Sequence, residues 1–329
     1  MATIKDVAKR AGVALSTASY ALNGSSKVSG ATIEKVMRAA RELNYQKNGF
    51  ASDLKRTKTN TIALILSDMS GPYFSELIKG VQEVTASNQY DLIACSSVGG
   101  SRSTATKFLR EKRVDGAIIL ANNIQTQLIE ESAREDFPIV VLDREVQNPY
   151  AIHVEVNNRQ GAFEATEHLI EKGHRSLGYV SGPMDSHDNE ERFTGFSDAL
   201  EHYDIPFQSR LKISGDFTRE GGYRATKMLI AQQNLPDAIF YANDEMAVGG
   251  LQAFKEKGIQ VPADISIVGF DDIQLAEYVN PPLTTVRQPK YEAGALAVHM
   301  IFQMLAGEKV EKSFNLSTEL VERSSVKMK

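Results

Sequence analysis

The sequence contains no tryptophan and a single cysteine, Cys95, among its 329 residues. One cysteine forms no intrachain disulfide and makes a thiolate zinc site implausible. No apolar run approaches the roughly 20 residues of a membrane span, and the first residues lack the apolar stretch of a signal peptide. We therefore expect a soluble, cytoplasmic protein with no membrane association, no metal and no cofactor.

Motifs of several enzyme classes are also missing. The chain has no G-x-G-x-x-G and no G-x-x-x-x-G-K-[ST], the two glycine-rich patterns that hold nucleotide phosphates. Residues 178–182 are misspaced for a nucleophile elbow, and the six histidines form no H-E-x-x-H. We expect a protein that is not an enzyme. An α/β enzyme acting on a sugar or nucleotide, and a secreted sugar-binding protein, are the alternatives.

Charge is distributed unevenly along the chain. The net charge is −5, yet residues 1–60 carry eleven Lys and Arg against four Asp and Glu, a local charge of +7. The remaining residues carry −12. This asymmetry is typical of a protein in which only the amino-terminal segment approaches phosphate.

Residues 1–45 have the pattern of three short helices. Thr3 and Asp6 form a capping-box pattern, and Gly12 can end the first helix in the left-handed conformation. Helices over about 14–22 and 32–44 follow. Two short helices around a glycine turn, closed by a third, predict a helix-turn-helix headpiece.

The second of these helices is predicted to carry a polar face opposite an apolar one. The apolar side of its helical wheel holds Ala14, Ala18, Ala21 and Leu22. The opposite side holds Ser16, Ser19, Tyr20 and Asn23. An exposed polar face at this position enters the major groove of DNA. Leu15 lies at the border, where it either completes the core or touches a thymine methyl.

From residue 61 onward, short apolar runs alternate with candidate helices. The runs lie at 62–66, 91–95, 116–120, 139–142, 177–180, 238–241 and 266–270. The candidate helices lie near 73–87, 102–112, 157–172, 219–233 and 244–257. Alternation of this kind predicts parallel sheets covered on both faces, and about 270 residues suffice for two lobes. A ligand is expected between them, at the carboxyl ends of the strands.

Polar and aromatic residues follow several of these predicted strands. They are Tyr73, Phe74, Arg192, Asn243 and Asp271. A carboxylate accepts hydrogen bonds from sugar hydroxyls, Arg and Asn donate them, and aromatic rings cover the apolar face of a sugar. A surface ion pair for the charged residues, and core packing for the two aromatic residues, are the alternatives.

The order of motifs resembles the lactose/galactose repressor (LacI/GalR) family over the whole chain. In the headpiece it rests on T-I-K-D-V-A-K-R-A-G-V at 3–13 and on residues 16–19, 22–23 and 28–29. The hinge matches over 48–54. The body matches at 68–74, 113–116, 173–174, 195–196, 244–247, 268–271, 281–285 and 288–289. Spacing through residue 60 is especially similar to the purine-repressor branch.

The resemblance implies an α/β chain with an all-α headpiece, a hinge helix and a doubly wound body like a periplasmic binding protein. We expect the headpiece over 1–46, the hinge and linker over 47–60, and the effector-binding and dimerisation domain over 61–329. Within that domain the first lobe is expected over 61–158 plus 290–318. The second lobe is expected over 159–289 plus 319–329.

The resemblance also implies roles and partners. The protein is expected to be a homodimeric repressor that binds a near-palindromic double-stranded operator and is controlled by a small effector. The DNA-binding residues carried over by position are Leu15, Ser16, Thr17, Ser19, Tyr20, Asn23 and, as a minor-groove wedge, Leu54. The effector-binding residues are Tyr73, Phe74, Asp143, Arg192, Phe217, Asn243 and Asp271.

Departures from the family pattern bear on both sites. Ala14 replaces a capping Ser, and Lys47 and residues 52–53 differ in the hinge, so we expect weaker or more effector-sensitive operator binding. Ser186 stands where the purine-binding branch has an arginine, and residues 242–244 have the form common in sugar-responsive members. The effector is therefore expected to be a sugar or a sugar phosphate. The protein is expected to repress a carbohydrate-utilisation operon.

Overall fold

The computed structural model describes residues 2–45, 58–67, 69–232 and 234–329. The chain divides into two units, Met1–Thr59 and Asn60–Lys329. None of the helices in these described ranges is long and apolar enough to cross a membrane.

The first unit is a three-helix headpiece. Its helices are α1 Ile4–Ala11, α2 Leu15–Leu22 and α3 Gly30–Glu42. The predicted capping box is present, since the Thr3 side chain accepts from the Asp6 amide while the Asp6 carboxylate accepts from the Thr3 amide. Gly12 ends α1 at φ 62°. The core joins small side chains from all three helices: Val7, Ala8, Ala11, Ala18, Ala21, Val36, Ala39 and Ala40.

Two details of the headpiece differ from the sequence prediction. α3 lies over Gly30–Glu42 rather than 32–44, because the hydroxyl of Ser29 accepts from the Thr32 amide and caps the helix earlier. Ala14, expected in the core, is exposed. It occupies the N-cap position of α2, in extended conformation, where its side chain points away from the helix packing.

The first lobe of the second unit is built on a parallel sheet in the order β11-β5-β4-β3-β1-β2. Its strands are β1 Thr61–Leu66, β2 Asp91–Ser96, β3 Gly116–Leu120, β4 Ile139–Val141, β5 Ala151–Val156 and β11 Ser313–Leu316. Its helices are α4 Tyr73–Ser87, α5 Thr104–Glu111, α6 Thr126–Ser132 and α12 Lys290–Leu305. A short 3₁₀ turn, Gly100–Arg102, precedes α5, so the helix predicted over 102–112 begins later.

β1 shows why this sheet is buried on both faces. Ile62, Leu64 and Leu66 pack into one core cluster, and the alternate residues Ala63 and Ile65 pack into another. A strand with no polar face requires helices on both sides of the sheet, which explains the continuous apolar runs of the sequence.

The second lobe repeats the plan with the order β12-β10-β9-β8-β6-β7, in which only β12 is antiparallel to its neighbour. Its strands are β6 Leu177–Ser181, β7 Lys212–Ser214, β8 Ala238–Tyr241, β9 Ser266–Asp271, β10 Thr285–Arg287 and β12 Glu319–Val321. Its helices are α7 Asn158–Glu171, α8 His187–His202, α9 Arg219–Ala231, α10 Asp244–Lys257 and α11 Gln274–Tyr278. A second 3₁₀ turn, Ser209–Leu211, precedes β7.

The strand order reverses at β1 in one lobe and at β6 in the other. Loops that leave the carboxyl ends of strands on either side of such a point separate and leave a crevice. This topology creates the ligand cleft of the body, and the predicted fold class is confirmed: a helix-turn-helix headpiece and two doubly wound lobes.

Candidate functional site

The second helix of the headpiece presents a mixed polar and apolar surface. Leu15 and Tyr20 are 45% and 41% exposed, which places the border residue Leu15 outside the core. Ser16 and Asn23 are exposed, whereas Thr17 and Ser19 are half-buried. Leu54, the predicted wedge, and most of the predicted hinge lie outside the described residues.

Local sequence explains why this surface is available. Ala18 and Ala21 are the buried residues of α2, so the helix packs on the headpiece through side chains too small to hide its other face. No side chain caps its first turn, because Ala14 has no oxygen to accept from the amides there. Lys27 lies 5.3 Å from the ring centroid of Tyr20 and adds positive charge beside the exposed face.

The body contains a cavity of about 650 Å³ to which both lobes contribute. A volume of this size is typical of a small-molecule site. All seven residues predicted to bind an effector line it: Tyr73, Phe74, Asp143, Arg192, Phe217, Asn243 and Asp271. Three of them come from the first lobe and four from the second, although they are spread over 199 positions of the sequence.

Both lobes contribute aromatic rings to the lining of the cavity. Tyr73 and Phe74 begin α4, with ring centroids 5.3 Å apart in an edge-to-face arrangement. Both are half-buried, so they line the cavity and Phe74 also packs on the core of its lobe. Phe217 precedes α9 with φ 65°, and a Cβ on Gly182 would overlap its ring. The glycine therefore leaves the room that this ring requires.

Arg192 is the central cation of the cavity and is only 3% exposed. It lies on the inner side of α8, a helix that the sequence analysis did not predict. Its Nε donates to Asn158 Oδ1 at 2.8 Å and one terminal nitrogen donates to the Ala242 carbonyl at 2.6 Å. The guanidinium carbon lies 4.0 Å from the ring centroid of Phe270. These contacts fix the guanidinium before any ligand arrives.

Asp271 ends β9 and is buried, with 4% of its surface exposed. The alternative of an ion pair on the surface is therefore wrong for this residue. Its Oδ1 accepts from Gln288 Nε2 at 2.5 Å and lies 3.5 Å from Arg192. Burial outweighs these contacts and raises the pKa of Asp271 to about 6. Its φ of 114° is unusual for a non-glycine residue and is held by the surrounding bonds.

Asn243 uses its side chain within the protein. Its Oδ1 accepts from the Met246 amide at the start of α10, and its Nδ2 donates to the Phe217 carbonyl at 3.0 Å. The residue therefore holds the segment of Phe217 in place as well as lining the cavity.

Asp143 follows β4 and differs from the other polar residues of the cavity. Its Oδ2 accepts from Arg144 at 2.8 Å, whereas its buried Oδ1 has no hydrogen-bond partner among the described residues. Burial raises the pKa of Asp143 to about 6, and Arg144 opposes that shift. Oδ1 is an acceptor that a ligand hydroxyl or N–H can satisfy.

Two further polar residues, one lining the cavity and one behind its lining, were not predicted as site residues. Asp188 lies one turn before Arg192 on α8 and accepts from Asn158 Nδ2 at 3.1 Å. Gln288 joins the lobes, since it donates to Asp271 and accepts from the Tyr73 hydroxyl at 3.4 Å. The i, i+4 spacing of Asp188 and Arg192 was a sequence signal that could have identified Asp188 as a site residue. Gln288 lies in the motif at 288–289 that resembles the family, but that motif was not assigned a role in the site.

Asp244 is buried behind the cavity lining and holds neighbouring segments of the second lobe together. Its two oxygens accept from Thr285 Oγ1 at 2.6 Å and from the Ile273 amide at 2.9 Å. Its complete burial raises the pKa of its carboxyl group well above the ordinary range. Within the described ranges, no cluster of His, Cys, Asp and Glu side chains has the arrangement of a metal site.

Comparisons with known proteins agree with both units. The description "Bacterial regulatory proteins, lacI family" matches residues 3–48, and the periplasmic binding protein-like domain matches residues 166–326. The HTH-type transcriptional repressor PurR of Photobacterium profundum is 37% identical over 331 residues, with 99% of each chain covered.

Solved structures of similar regulators match this chain over nearly its whole length. The lac repressor dimer bound to operator and the anti-inducer ONPF is 29% identical, with a TM-score of 0.81 and 99% of each chain covered. The complex of the transcriptional regulator CelR with cellobiose is 30% identical, with a TM-score of 0.74, and covers 99% of this chain and 100% of that one. The chain therefore belongs to the lacI family of bacterial regulatory proteins and is a DNA-binding transcriptional repressor with a periplasmic-binding-protein-like effector domain.

Proposed function

We propose that the repressor binds a near-palindromic operator as a homodimer and that a carbohydrate bound in the cavity controls this binding. The observation that carries the effector site is the convergence of seven predicted residues on one cavity. The expected DNA-binding residues Leu15, Ser16, Thr17, Ser19, Tyr20 and Asn23, with Leu54 as a wedge, complete the proposal.

The chemistry of the cavity supports a carbohydrate. Asp143 offers a buried acceptor without a partner, and the rings of Tyr73 and Phe217 can cover the apolar face of a sugar ring. The related CelR structure is a complex with cellobiose. We further propose that the protein acts in the cytoplasm, where operator DNA lies, and that it has no catalytic activity, as expected for a regulator.

A purine is the second candidate effector. The relatives named PurR favour it, and the aromatic rings of the cavity can also stack on a purine base. Ser186, which caps α8 at the edge of the cavity, favours the carbohydrate over the purine. The arginine expected there in the purine-binding branch is absent.

A thermal-shift screen of sugars beside free purine bases separates the two candidates. We expect the ligand that raises the melting temperature to be a carbohydrate. The hit is then added to operator-binding assays. A purine hit that alters operator binding would replace the carbohydrate assignment, and a stabilising ligand without any effect on operator binding would contradict effector control.

The operator itself is obtained by selection from random double-stranded DNA. Binding to the selected site should weaken with salt at a log–log slope near −7, as expected for about eight phosphate contacts. A slope shallower than about −2 would contradict the headpiece as the source of affinity.

The variant Tyr20→Ala should change base preference at one position in each half-site. Uniform weakening across all sites would assign Tyr20 to the DNA backbone.

A further inference from the structure

We propose that the cavity selects against negatively charged ligands and that Asp188 is the residue that determines this selectivity. The inference rests on the proposed effector site and narrows its ligand class. It favours uncharged ligands rich in hydrogen-bond donors over sugar phosphates and nucleotides.

The lining of the cavity carries an excess of negative charge. Its acidic side chains are Asp143, Asp185, Asp188, Asp216, Glu220, Glu245 and Asp271. Its cationic side chains are Arg144, Arg192 and Arg219. An anion that enters this cavity meets seven carboxylates and three guanidinium groups, in surroundings where charges are screened less than in water.

The two arginines nearest the buried carboxylates already have partners. Arg144 donates to Thr126 and Asp143 and to the backbone carbonyls of residues 121 and 124. Arg192 donates to Asn158 and to the Ala242 carbonyl and lies beside Asp271. A phosphate is usually bound by a pair of guanidinium donors that point at it together. Rearrangement of existing bonds would be required to present such a pair here.

The N-termini of helices often bind phosphate through free amides, but those at this cavity already have carboxylates of the protein beside them. Four helices begin at the cavity: α4, α8, α9 and α10. Each carries an acidic residue in its first turn, namely Glu76, Asp188, Glu220 and Glu245. A carboxylate at this position takes up the favourable interaction with the helix dipole that an anionic ligand would otherwise have.

Asp188 occupies the central position among these acids. It is half-buried, and it lines both the main cavity and a small adjoining one with Asp143. Burial first, and the negative charge of Asp188 in addition, raise the pKa of Asp143 and of Asp271. The charge of Asp188 thus reaches carboxylates on both lobes. A ligand that satisfies Asp143 Oδ1 must do so beside Asp188.

The environment of Asp188 contains few compensating groups. Arg192 and His187 oppose the rise in its pKa, and Asn158 donates to its Oδ1 at 3.1 Å, but burial dominates and the pKa is raised. A carboxylate in this position favours ligands that donate hydrogen bonds and disfavours ligands that bring another negative charge.

Inorganic phosphate is the probe that tests this proposal. Its dissociation constant is measured by calorimetric titration at pH 7.5 and constant ionic strength for wild type, Asp188→Asn and Glu201→Gln. Glu201 is an exposed acid on the same helix and away from the cavity, so its variant is a matched control for net charge. The basic headpiece is identical in all three proteins, so phosphate bound there cancels in the comparison.

We expect Asp188→Asn to bind phosphate at least about tenfold more tightly than wild type, because a nearby negative charge is removed. Glu201→Gln should behave as wild type. Equal phosphate binding by wild type and Asp188→Asn, including no binding by either, would overturn the selectivity role of Asp188.

A second arm compares glucose with glucose 6-phosphate and ribose with ribose 5-phosphate in thermal shifts of wild type. Stabilisation by a phosphorylated member beyond its neutral partner would overturn the proposal. The phosphate comparison between variants does not depend on the identity of the effector. Its failure is therefore distinguishable from failure of the carbohydrate assignment, which would appear as a purine hit in the ligand screen.

Discussion

The proposed DNA-binding helix α2 and the proposed effector cavity differ in how exposed their side chains are. On α2, Leu15 and Tyr20 are exposed, and the helix has no side-chain cap. In the cavity, Arg192 and Asp271 are buried and hydrogen-bonded to neighbouring groups. The surface proposed to bind DNA is exposed, whereas the side chains proposed to bind a small ligand are already held by contacts within the protein.

This difference shows where a substitution affects folding and where it affects binding alone. A cavity side chain with several internal partners contributes to both, because its removal leaves buried polar groups unpaired. An exposed side chain of α2 contributes to binding without such a cost.

Arg192→Ala should destabilise the body by about 3–5 kcal/mol, the effect of removing one partner from a buried charged network. Asp271, Asn158 and the Ala242 carbonyl would each lose a partner. The matched control is Arg224→Ala, which removes an exposed ion pair with Asp216 and should cost no more than about 1 kcal/mol. Urea unfolding followed by circular dichroism measures both. Equal effects would show that the network is not preorganised.

Asp271 should make stability depend on pH. Its pKa is about 6 in the folded protein and lower in the unfolded chain, so the folded state binds more protons between about pH 4 and 6. Stability therefore falls as pH rises through this window. Between pH 5 and pH 7, Asp271 should contribute a loss of about 1 kcal/mol that is absent in Asp271→Asn. Parallel pH profiles for the two proteins would contradict the buried carboxylate.

Ala14→Ser should have the smallest effect and should act on α2. A hydroxyl at the N-cap can accept from an amide of the first turn and stabilise the helix by about 1 kcal/mol. Hydrogen exchange should slow for the amides of α2 and remain unchanged in α10. Unchanged exchange in α2 would indicate that packing on α1 and α3 alone determines its stability.

Much of the fold followed from the sequence because buried parallel strands are continuous apolar runs. The run at 62–66 and its successors each became a strand, and α1 followed from its capping box and from Gly12. Short strands such as β7 and β10 have three residues each and offer no such signal.

The helix α8 was missed for a different reason. Its first turns contain His187, Asp188 and Arg192, so polar residues lie on the side that faces the cavity. Apolar periodicity, the main sequence signal for a helix, fails where a functional surface replaces a core surface.

The site was predictable in composition but not in its internal bonding. All seven expected residues line the cavity, yet the burial of Asp271 depends on Gln288 and on Arg192, which lie 17 and 79 positions away. Such contacts arise from tertiary packing between residues distant in the sequence and have no local signature. The same contacts make Asp143, with its unpaired Oδ1, a cleaner probe of ligand binding than Asp271.

The most direct test of effector control is the operator affinity of wild type and Asp143→Asn, each with and without the ligand found in the screen. We predict equal operator affinity without ligand, a five- to 150-fold change for wild type with ligand, in the range of about 1–3 kcal/mol of coupling, and no change for Asp143→Asn at the same ligand concentration. An Asp143→Asn protein that responds to the ligand as wild type does would contradict the assignment of the cavity as the effector site.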